Sequence, residues 1–499
     1  MKSDSNIPKY LDRSLQGSLF LLVLAAPMSI AVTQIAWSFA LLCWIVKAFL
    51  VRPTLRKGGI DIAILAFVGL TVLSSVFSYE QEVSLKKLIS VSLVTIVYLV
   101  SEYVQGTSML RKIVTVLVVS STFTAVFAVG NFLVGRNLKV TQLTAESPLR
   151  SAVCRERAGG IQENDTILKV NGIGVSNPDN LLSVVPQTSD GIVRIDVYRV
   201  ENVLKLELPV ATLLGSEDNS AKLGIVEWSR GRDVRAAAFY GHYTTFAEAL
   251  QLLLSLALGF LIVAPGSIFS RNRLFLAVTV GVSCIALFLT LTRASWAGFA
   301  ISAAAMVLIG TGRKTVLICV AIAIPLAAVG LFYLQQKRNV AFIDTSDNST
   351  TWRMTVWQEG FDLLISNPRH LAVGVGMDSL KNHWQEWHLF DEGKLPIGHM
   401  HSTPLQFALE RGIPTLIAWI AWMLIYLRML WRGFRRKNAQ WQERGIFLGA
   451  IGGTLGFLSS GLVHYNWGDS EVAMVFYIIM GLSLAALRTI EEPQAEIAT

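Results

Sequence analysis

Long apolar segments constrain this chain more than any other feature. Hydrophobic residues make up 53% of its 499 residues, and charged residues make up only 16%. A helix of about 20 residues crosses a bilayer. By that length, twelve spans are predicted, roughly at 15–32, 34–51, 60–78, 88–105, 112–134, 245–264, 273–291, 295–310, 314–334, 403–428, 445–463 and 470–488. We therefore expect an all-α polytopic membrane protein with about twelve transmembrane helices.

Basic residues predict how these spans are oriented. Lysine and arginine collect in alternate short loops and in the run LRMLWRGFRRKNAQWQER at 427–444, whereas the opposite short loops contain little beyond Lys86 and Lys87. Cytoplasmic loops are the basic ones. Both termini are therefore expected in the cytoplasm, and the long segments 135–244 and 335–402 outside it. These basic loop residues account for the net charge of +8, so the charge does not indicate a nucleic acid partner.

The expected organisation follows from these loops. Residues 1–134 supply helices 1–5, residues 135–226 form a folded insert, and residues 227–499 supply helices 6–12 with the long loop 335–402. The four cysteines lie singly, three of them in apolar spans, so neither a disulfide framework nor a metal site is predicted from them.

The insert has the pattern of a small β domain with one helix. GGIQENDTILKVNGIGV (159–175) predicts a strand closed by an Asn-Gly turn, and NPDNLLSVV predicts a capped helix. GIVRIDVYRV and VLKLELPV alternate apolar and polar residues as strands do. AGGIQENDTILKVNG and the strand IVRIDVYR resemble a bacterial-type PDZ domain, a fold that binds peptides along a sheet edge. A β domain that braces the outer face without binding a peptide is the alternative.

Strong cations occur where apolar segments meet the outside. Arg235 precedes the sixth span, Arg293 lies between two spans in LTLTRASWAG, and Arg353 lies in the second long loop. His399 and His401 precede the tenth span in GHMHSTPLQF. Arginine at membrane depth is costly and indicates function. The alternatives are arginines that reach lipid phosphates and histidines that are only hydrogen bonded at the interface.

Together these residues favour one chemistry. Guanidinium groups pair with phosphate oxygens through a planar fork, and a neutral imidazole accepts a proton from a hydroxyl. Such a set suits attack of a hydroxyl on a lipid-linked diphosphate sugar, with the diphosphate as leaving group. We expect neither a metal nor another cofactor, because the outer loops contain no cluster of carboxylates.

LTLTRASWAG, TWRMTVWQEGFDLLISNP with GVGMDSL, and HMHSTPLQFALERGIPTLIAWI resemble the signature of the O-antigen ligase and polymerase superfamily. The resemblance implies a GT-C-like membrane glycosyltransferase at the periplasmic face of the bacterial inner membrane. It implies that Arg293 and Arg353 bind the diphosphate of an undecaprenyl-linked glycan, and that Arg235 fits a further arginine of the family.

The resemblance also implies a histidine general base before the tenth span. His401 matches by position, with His399 as its rival. Two departures matter: His401 is followed by serine where the family usually has asparagine, and the PDZ-like insert is unusual. With a side chain of ordinary pKa, about 6.5, a histidine base would lose activity below that pH.

Several functions remain open at this point. The first is O-antigen ligation, with lipid A-core as acceptor. A repeat-unit polymerase and a protein O-oligosaccharyltransferase use the same donor, and the insert could hold a periplasmic peptide or protein. A transporter of lipid-linked glycan and a scaffold are readings from other classes, but the chain lacks the paired halves typical of transporters.

Overall fold

The computed structural model describes residues 7–51, 58–154, 159–185, 190–199, 202–213, 220–232, 234–267, 269–318, 321, 324–325, 328–329, 332 and 348–491. The chain forms two compact units. One comprises Met1–Ala125 with Phe239–Thr499, and the other comprises Val126–Ala238.

Helices dominate the structure outside the insert. Those before it are α1 Ile7–Ala25, α2 Ile30–Leu50, α3 Asp61–Val76, α4 Gln81–Ser92, α5 Thr95–Tyr103 and α6 Gly106–Val134. After it follow α9 Tyr243–Val263, α10 Arg271–Leu289, α11 Arg293–Gly310, α12 Asn348–Ile365, α13 Pro368–Val373, α14 Ser379–His383, α15 Thr403–Arg411, α16 Ile413–Phe434, α17 Trp441–Gly461 and α18 Ser470–Glu491.

The described residues do not confirm all twelve predicted membrane spans. Within the described residues, eight helices are long and apolar enough to cross: Ile30–Leu50, Gln81–Tyr103, Gly106–Val134, Tyr243–Val263, Arg271–Leu289, Arg293–Gly310, Ile413–Phe434 and Ser470–Glu491. The third predicted span is the shorter helix Asp61–Val76. The eleventh is α17, whose glycines make it less apolar. Most of the ninth, at 314–334, lies outside the described residues.

Two predicted spans end at other residues because of local backbone chemistry. The first, 15–32, is interrupted after Ala25, since Pro27 offers no backbone N–H and Ser29 caps the next helix. The tenth, 403–428, is two helices joined at Gly412, whose φ of 82° favours glycine. A Cβ on Gly412 would lie 2.5 Å from the carbonyl oxygen of Ala372. The helix after His401 is therefore a short helix followed by a span.

Glycine allows three helices to pack closely in the helical unit. An added Cβ on Gly259 of α9 would lie 2.4 Å from the backbone nitrogen of Gly449 of α17. One on Gly298 of α11 would lie 2.7 Å from the carbonyl oxygen of Gly456 of α17. Small residues permit such close approach between membrane helices, where van der Waals packing replaces the hydrophobic effect. This packing fixes α9, α11 and α17 as a group.

The two ends of the helical unit differ in charge. At one end, Arg436 pairs with Glu491 at 2.9 Å and Arg488 pairs with Glu102 at 3.3 Å. This end includes the basic run 427–444, which begins in the last turns of α16. At the other end, Thr245 near the start of α9 donates a hydrogen bond to Asp469 just before α18 at 2.7 Å. The residues near His401 lie at this second end, because α15 precedes the span α16.

The second unit is built on one antiparallel sheet. Its strands are β1 Asn137–Leu143, β2 Val153–Cys154, β3 Thr166–Val170, β4 Ile173–Gly174, β5 Ile192–Arg199, β6 Asn202–Pro209 and β7 Ile225–Gly231. Their order is β2-β6-β5-β3-β1-β7, and β4 pairs with β3. Two short helices accompany them, α7 Pro178–Val184 and α8 Val210–Leu213.

The alternation predicted for this unit is confirmed. Val193, Ile195 and Val197 of β5 are fully buried, and the leucines of β6 on the same face are at most 3% exposed. Asn171 and Gly172 both have positive φ and close the β3–β4 hairpin. The sequence prediction missed β1, β2 and β7, which are short or lack a clean alternation. The unit also extends past the predicted 135–226, because β7 pairs with β1 from Gly231 back to Ile225.

Candidate active site

The second long loop folds into helices with a core of their own. Helices α12 to α15 and the segments between them bury ten apolar side chains together: Val356, Leu363, Leu364, Val375, Leu380, Leu389, Phe390, Met400, Ala408 and Leu409. Val356 of α12 is buried in this core, and Trp352 packs on it. The side chains at the end of this loop are therefore held by a packed structure.

The backbone around the two histidines is clamped on both sides of Met400. The Met400 N–H donates to Oε1 of Gln406 at 2.7 Å, and its carbonyl accepts from Nε1 of Trp357 at 2.8 Å. His401 has a φ of 47°, a left-handed conformation that is unusual for a residue with a Cβ. Such strain persists where the surroundings enforce it, and it is frequent in functional sites.

The two imidazole rings lie against each other and against a tryptophan. The ring centroids of His399 and His401 are 4.0 Å apart, and that of Trp352 is 4.2 Å from His401. Nδ1 of His399 accepts a hydrogen bond from the backbone N–H of His401 at 3.2 Å. A neutral imidazole that accepts at Nδ1 carries its proton on Nε2. His399 therefore presents an N–H donor to the site.

Arg353 brings positive charge to this group. Its guanidinium carbon lies 5.8 Å from the ring centroid of the neighbouring Trp352. After burial, which is the largest cause, its charge is among the causes that lower the pKa of His401 and of His399. The structure therefore brings together three of the predicted residues, namely Arg353, His399 and His401.

Both histidines are kept neutral. Burial is the largest cause, and it lowers the pKa of His401 to about 2, with His399 and Arg353 adding to the effect. Burial likewise lowers the pKa of His399 to about 4, with His464 and Lys381 adding to it. A neutral imidazole is the form that can accept a proton. The expectation of an ordinary pKa near 6.5 is corrected by this burial.

Arg293 is the first residue of α11 and lies at the same end of the helical unit. Five residues later, Gly298 packs against Gln251 of α9 and Gly456 of α17. At 1.5 Å rise per residue, the first turn of α11 is then level with the first turn of α9 and the last turn of α17. Both of those turns lead to residues near the histidines. Arg293 is half-buried there.

Arg235 belongs to the other compact unit, Val126–Ala238, in the segment after β7. It was predicted to lie in the second membrane portion, 227–499, just before the sixth span, whereas β7 of the other unit extends to Gly231. The part of Arg235 in a diphosphate site stays a prediction.

The sequence interpretation missed a partly buried histidine and its buried carboxyl partner. Nδ1 of His464 lies 2.9 Å from Oε1 of Glu248, whose side chain is 2% exposed. The carbonyl of His464 accepts hydrogen bonds from both the N–H and the hydroxyl of Thr403, each at 3.1 Å. His464 is thus attached to the first residue of α15, two positions after His401. The available signal was Glu248, a single acidic residue in an otherwise apolar span.

Other charges surround the three histidines. Asp469 follows His464, and burial, with Glu248 as the next cause, raises its pKa to about 6. Asp378 forms ion pairs with Lys87 at 2.7 Å and with Lys381 at 3.0 Å. The backbone N–H of Asp378 donates to Oε1 of Glu410 in α15 at 2.8 Å. These contacts connect the GVGMDSL segment to the helix that follows His401.

Residue classes that bind metals do not cluster in the described part of the chain. No group of three or more histidine, cysteine, aspartate or glutamate side chains there could hold a metal ion. Cys43, Cys154 and Cys284 are free thiols, and Cys319 lies outside the described residues. The predicted residues of the candidate site described above are arginine and histidine side chains.

One part of the chain matches a known protein family. Residues 275–420 match the family model described as O-antigen ligase. This match supports the O-antigen ligase superfamily for the chain. Among curated proteins, none matches the chain.

The matched region extends from α10 to the start of α16. It contains four of the predicted residues, Arg293, Arg353, His399 and His401. The match and the several apolar helices together support a membrane glycosyltransferase of the ligase or polymerase type. Glu248 and His464 lie outside the matched residues, as does the whole second unit.

Proposed function

We propose that this protein transfers a glycan from undecaprenyl diphosphate to an acceptor hydroxyl, with O-antigen ligation to lipid A-core as the main reaction. The observation that carries the proposal is the convergence of Arg353 on His399 and His401 at one end of apolar helices. A cation for phosphate oxygens and a neutral imidazole for a hydroxyl proton are the two groups that this reaction requires.

The periplasmic face of the inner membrane is the proposed location. The basic run 427–444 and the ion pairs of Arg436 and Arg488 lie at the end of the helices opposite the site. Basic loops face the cytoplasm. Both termini are then cytoplasmic and the site is periplasmic, where a flipped lipid-linked glycan is available.

The proposed step displaces the diphosphate in one reaction. The acceptor oxygen forms a bond to the anomeric carbon of the donor, and its proton moves to His401. The bond between the anomeric carbon and the phosphate oxygen breaks, and its electron pair leaves with undecaprenyl diphosphate. Arg353 and Arg293 are proposed to stabilise the negative charge that grows on the departing diphosphate.

His401 is proposed as the base in preference to His399. Nδ1 of His399 accepts the N–H of His401, so its remaining nitrogen is a donor. No such bond fixes the ring nitrogens of His401 among the described contacts. The position of His401 at the clamped entrance of α15 also supports this role, because small displacements of a base reduce rate strongly.

The second unit is proposed to select the acceptor. Its sheet and buried core give it the architecture of an independent module. A PDZ-like module that holds a periplasmic protein would favour a protein O-oligosaccharyltransferase as the second candidate function. A repeat-unit polymerase shares the same donor chemistry.

The decisive experiment is the glycan profile of a strain that lacks the gene. Loss of capped lipopolysaccharide with accumulation of lipid-linked polymer supports a ligase. Capping with single repeat units instead supports a polymerase, and intact lipopolysaccharide with unglycosylated periplasmic proteins supports the protein glycosyltransferase. A normal profile in all three respects contradicts the proposed function.

A further inference from the structure

Glu248 and His464 form a second hydrogen-bonded pair at the site, outside the residues that match the family model. The pair joins two elements that are far apart in sequence, α9 and the segment between α17 and α18. Glu248 is buried, whereas the side chain of His464 is 13% exposed. His464 therefore combines a buried partner at Nδ1 with an accessible remainder of the ring.

The protons of this pair can be assigned from the surroundings of Glu248. In the part of the chain that the structure describes, the carboxyl group of Glu248 is hydrogen bonded to His464 and forms no ion pair with lysine or arginine. A carboxyl group buried in an apolar span without a cation is stable in its neutral form. The neutral carboxyl group donates its proton to Nδ1 of His464. The imidazole proton of His464 is then on Nε2.

The charges around His464 agree with a neutral ring. Burial is the largest cause that lowers the pKa of His464 to about 3, and the positive charge of Arg353 is the next. Asp469 acts in the opposite direction. His464 in turn lowers the pKa of both His399 and His401. Arg353 therefore lowers the pKa of all three histidines, His399, His401 and His464, and His464 lowers the pKa of the other two.

We propose that His464 is a further catalytic residue, whose Nε2–H donates a hydrogen bond to a diphosphate oxygen of the donor lipid. Glu248 is a positioning residue that fixes this tautomer by donating to Nδ1. No proton is transferred by the pair, since the proton of the acceptor hydroxyl goes to His401 and that of Nε2 stays in place. The inference rests on the proposed function and adds a neutral donor to the cation Arg353.

Glutamine substitutions separate this role from that of a base. In Glu248→Gln, the amide N–H of the glutamine can still donate to Nδ1 of His464. A bound diphosphate accepts a hydrogen bond, so it favours the His464 tautomer with its proton on Nε2. In His464→Gln, the amide nitrogen replaces Nε2–H as donor but cannot act as a base. Glu248→Leu and His464→Ala remove the donor in each case. Loss of one such donor reduces rate by about 100-fold or more.

The experiment measures glycan transfer from undecaprenyl diphosphate-linked oligosaccharide, and binding of undecaprenyl diphosphate, with the purified full-length protein in lipid. Glu248→Leu and His464→Ala are expected to lose about 100-fold in transfer rate and to bind undecaprenyl diphosphate more weakly. Glu248→Gln is expected to stay near wild type, and His464→Gln to exceed His464→Ala clearly. His370→Gln and Glu443→Gln are matched controls, because both residues are buried and lie in other clusters.

A pH profile distinguishes the donor role from a purely structural one. Alkaline pH ionises Glu248, which then accepts from Nδ1 and removes the donor at Nε2. The wild-type rate should therefore fall at alkaline pH, and Glu248→Gln should lack this fall. The charged or titratable groups that face the pair are Arg353, His399, His401, Asp469 and, beyond Asp469, Glu471. They are unchanged in this variant, so the comparison isolates Glu248.

Three outcomes overturn the inference. Full activity of His464→Ala shows that no donor is needed there. If Glu248→Gln has no transfer activity but keeps the melting temperature of the wild type, Glu248 acts as a carboxylate. An alkaline limb that is identical in wild type and Glu248→Gln removes the proposed tautomer. If the wild-type protein transfers no glycan, the proposed function itself fails, which is a separate result.

Discussion

The Nδ1 atom of His399 lies 3.2 Å from the backbone nitrogen of His401, and the two rings are 4.0 Å apart. The two histidines of this loop, which are separated only by Met400, therefore differ in the hydrogen bonds of their ring nitrogens. His399 is fixed as a donor at Nε2, and His401 keeps a nitrogen that can accept a proton. This difference is the basis of the first prediction.

His401→Ala should lower the transfer rate by about 100-fold, the contribution of a positioned base. His399→Ala should cost less, because it removes a donor and leaves the base in place. Because the pKa of His401 is lowered to about 2, the acid limb of the rate should lie well below pH 6.5. Transfer rate against pH for both variants and wild type is the measurement. A dead His399→Ala beside an active His401→Ala reverses the assignment.

Arg353→Ala and Arg293→Ala should each reduce transfer by about 100-fold or more, because each removes charge from the departing diphosphate. Arg353→Lys should recover little, since a point charge does not reproduce the guanidinium fork. Arg436→Ala is the control, because its ion pair lies at the opposite end of the helices. Rates are compared at equal amounts of inserted protein. Normal activity in either alanine variant removes that arginine from the site.

Stability should rise with pH across the range in which the buried histidines titrate when unfolded. Burial lowers the pKa of His399 to about 4, that of His401 to about 2 and that of His464 to about 3. The unfolded chain then binds more protons than the folded chain between these values and about 6.5. The melting temperature in detergent should therefore fall as pH is lowered from about 6.5 to about 4. A triple His→Gln variant should show a flatter dependence, and an equal slope would contradict the assignment.

Replacing the insert by a short linker should leave the helical unit folded. Asn137 and Gly231 are paired across β1 and β7, so the ends of the segment 137–231 lie side by side. Removal of 135–226 would delete β1 and leave residues 227–231, most of β7, without their partner strand. Helical content and membrane insertion of the shortened protein are expected to match those of the full chain, with altered acceptor preference. Loss of transfer to every acceptor despite normal insertion would contradict a modulating role.

Transfer should not require a divalent metal. In the described residues no three potential ligands come together, and the proposed site relies on arginine and imidazole groups. Purified protein is expected to keep its rate in excess chelator. Complete loss of activity that one added metal restores would reject this prediction.

The sequence determined the features that depend on local pattern. Apolar segment length indicated most of the long helices, and alternation in β5 and β6 indicated which residues of the insert are buried. The three sequence motifs, which contain Arg293, Arg353, His399 and His401, indicated the family that the comparison supports. These signals are local because helix and strand periodicity, and short motifs, are written in neighbouring residues.

Other features were decided by tertiary structure alone. The break at Gly412 follows from its close approach to the carbonyl of Ala372, a neighbour that no local pattern shows. Likewise, β1 and β7 are strands because they pair with each other across about 90 residues of sequence. The burial that lowers the histidine pKa values is also a property of packed helices.

The pair of Glu248 and His464 shows this division best. Each residue is visible in the sequence, one inside an apolar span and the other after α17, but 216 positions separate them. Only the packing of α9 against α17, which the glycines permit, brings Oε1 to within 2.9 Å of Nδ1. The sequence determined that a carboxyl group lies in a membrane segment, where an ionisable group is energetically costly. The tertiary structure decided which imidazole it contacts, because that contact depends on helix packing.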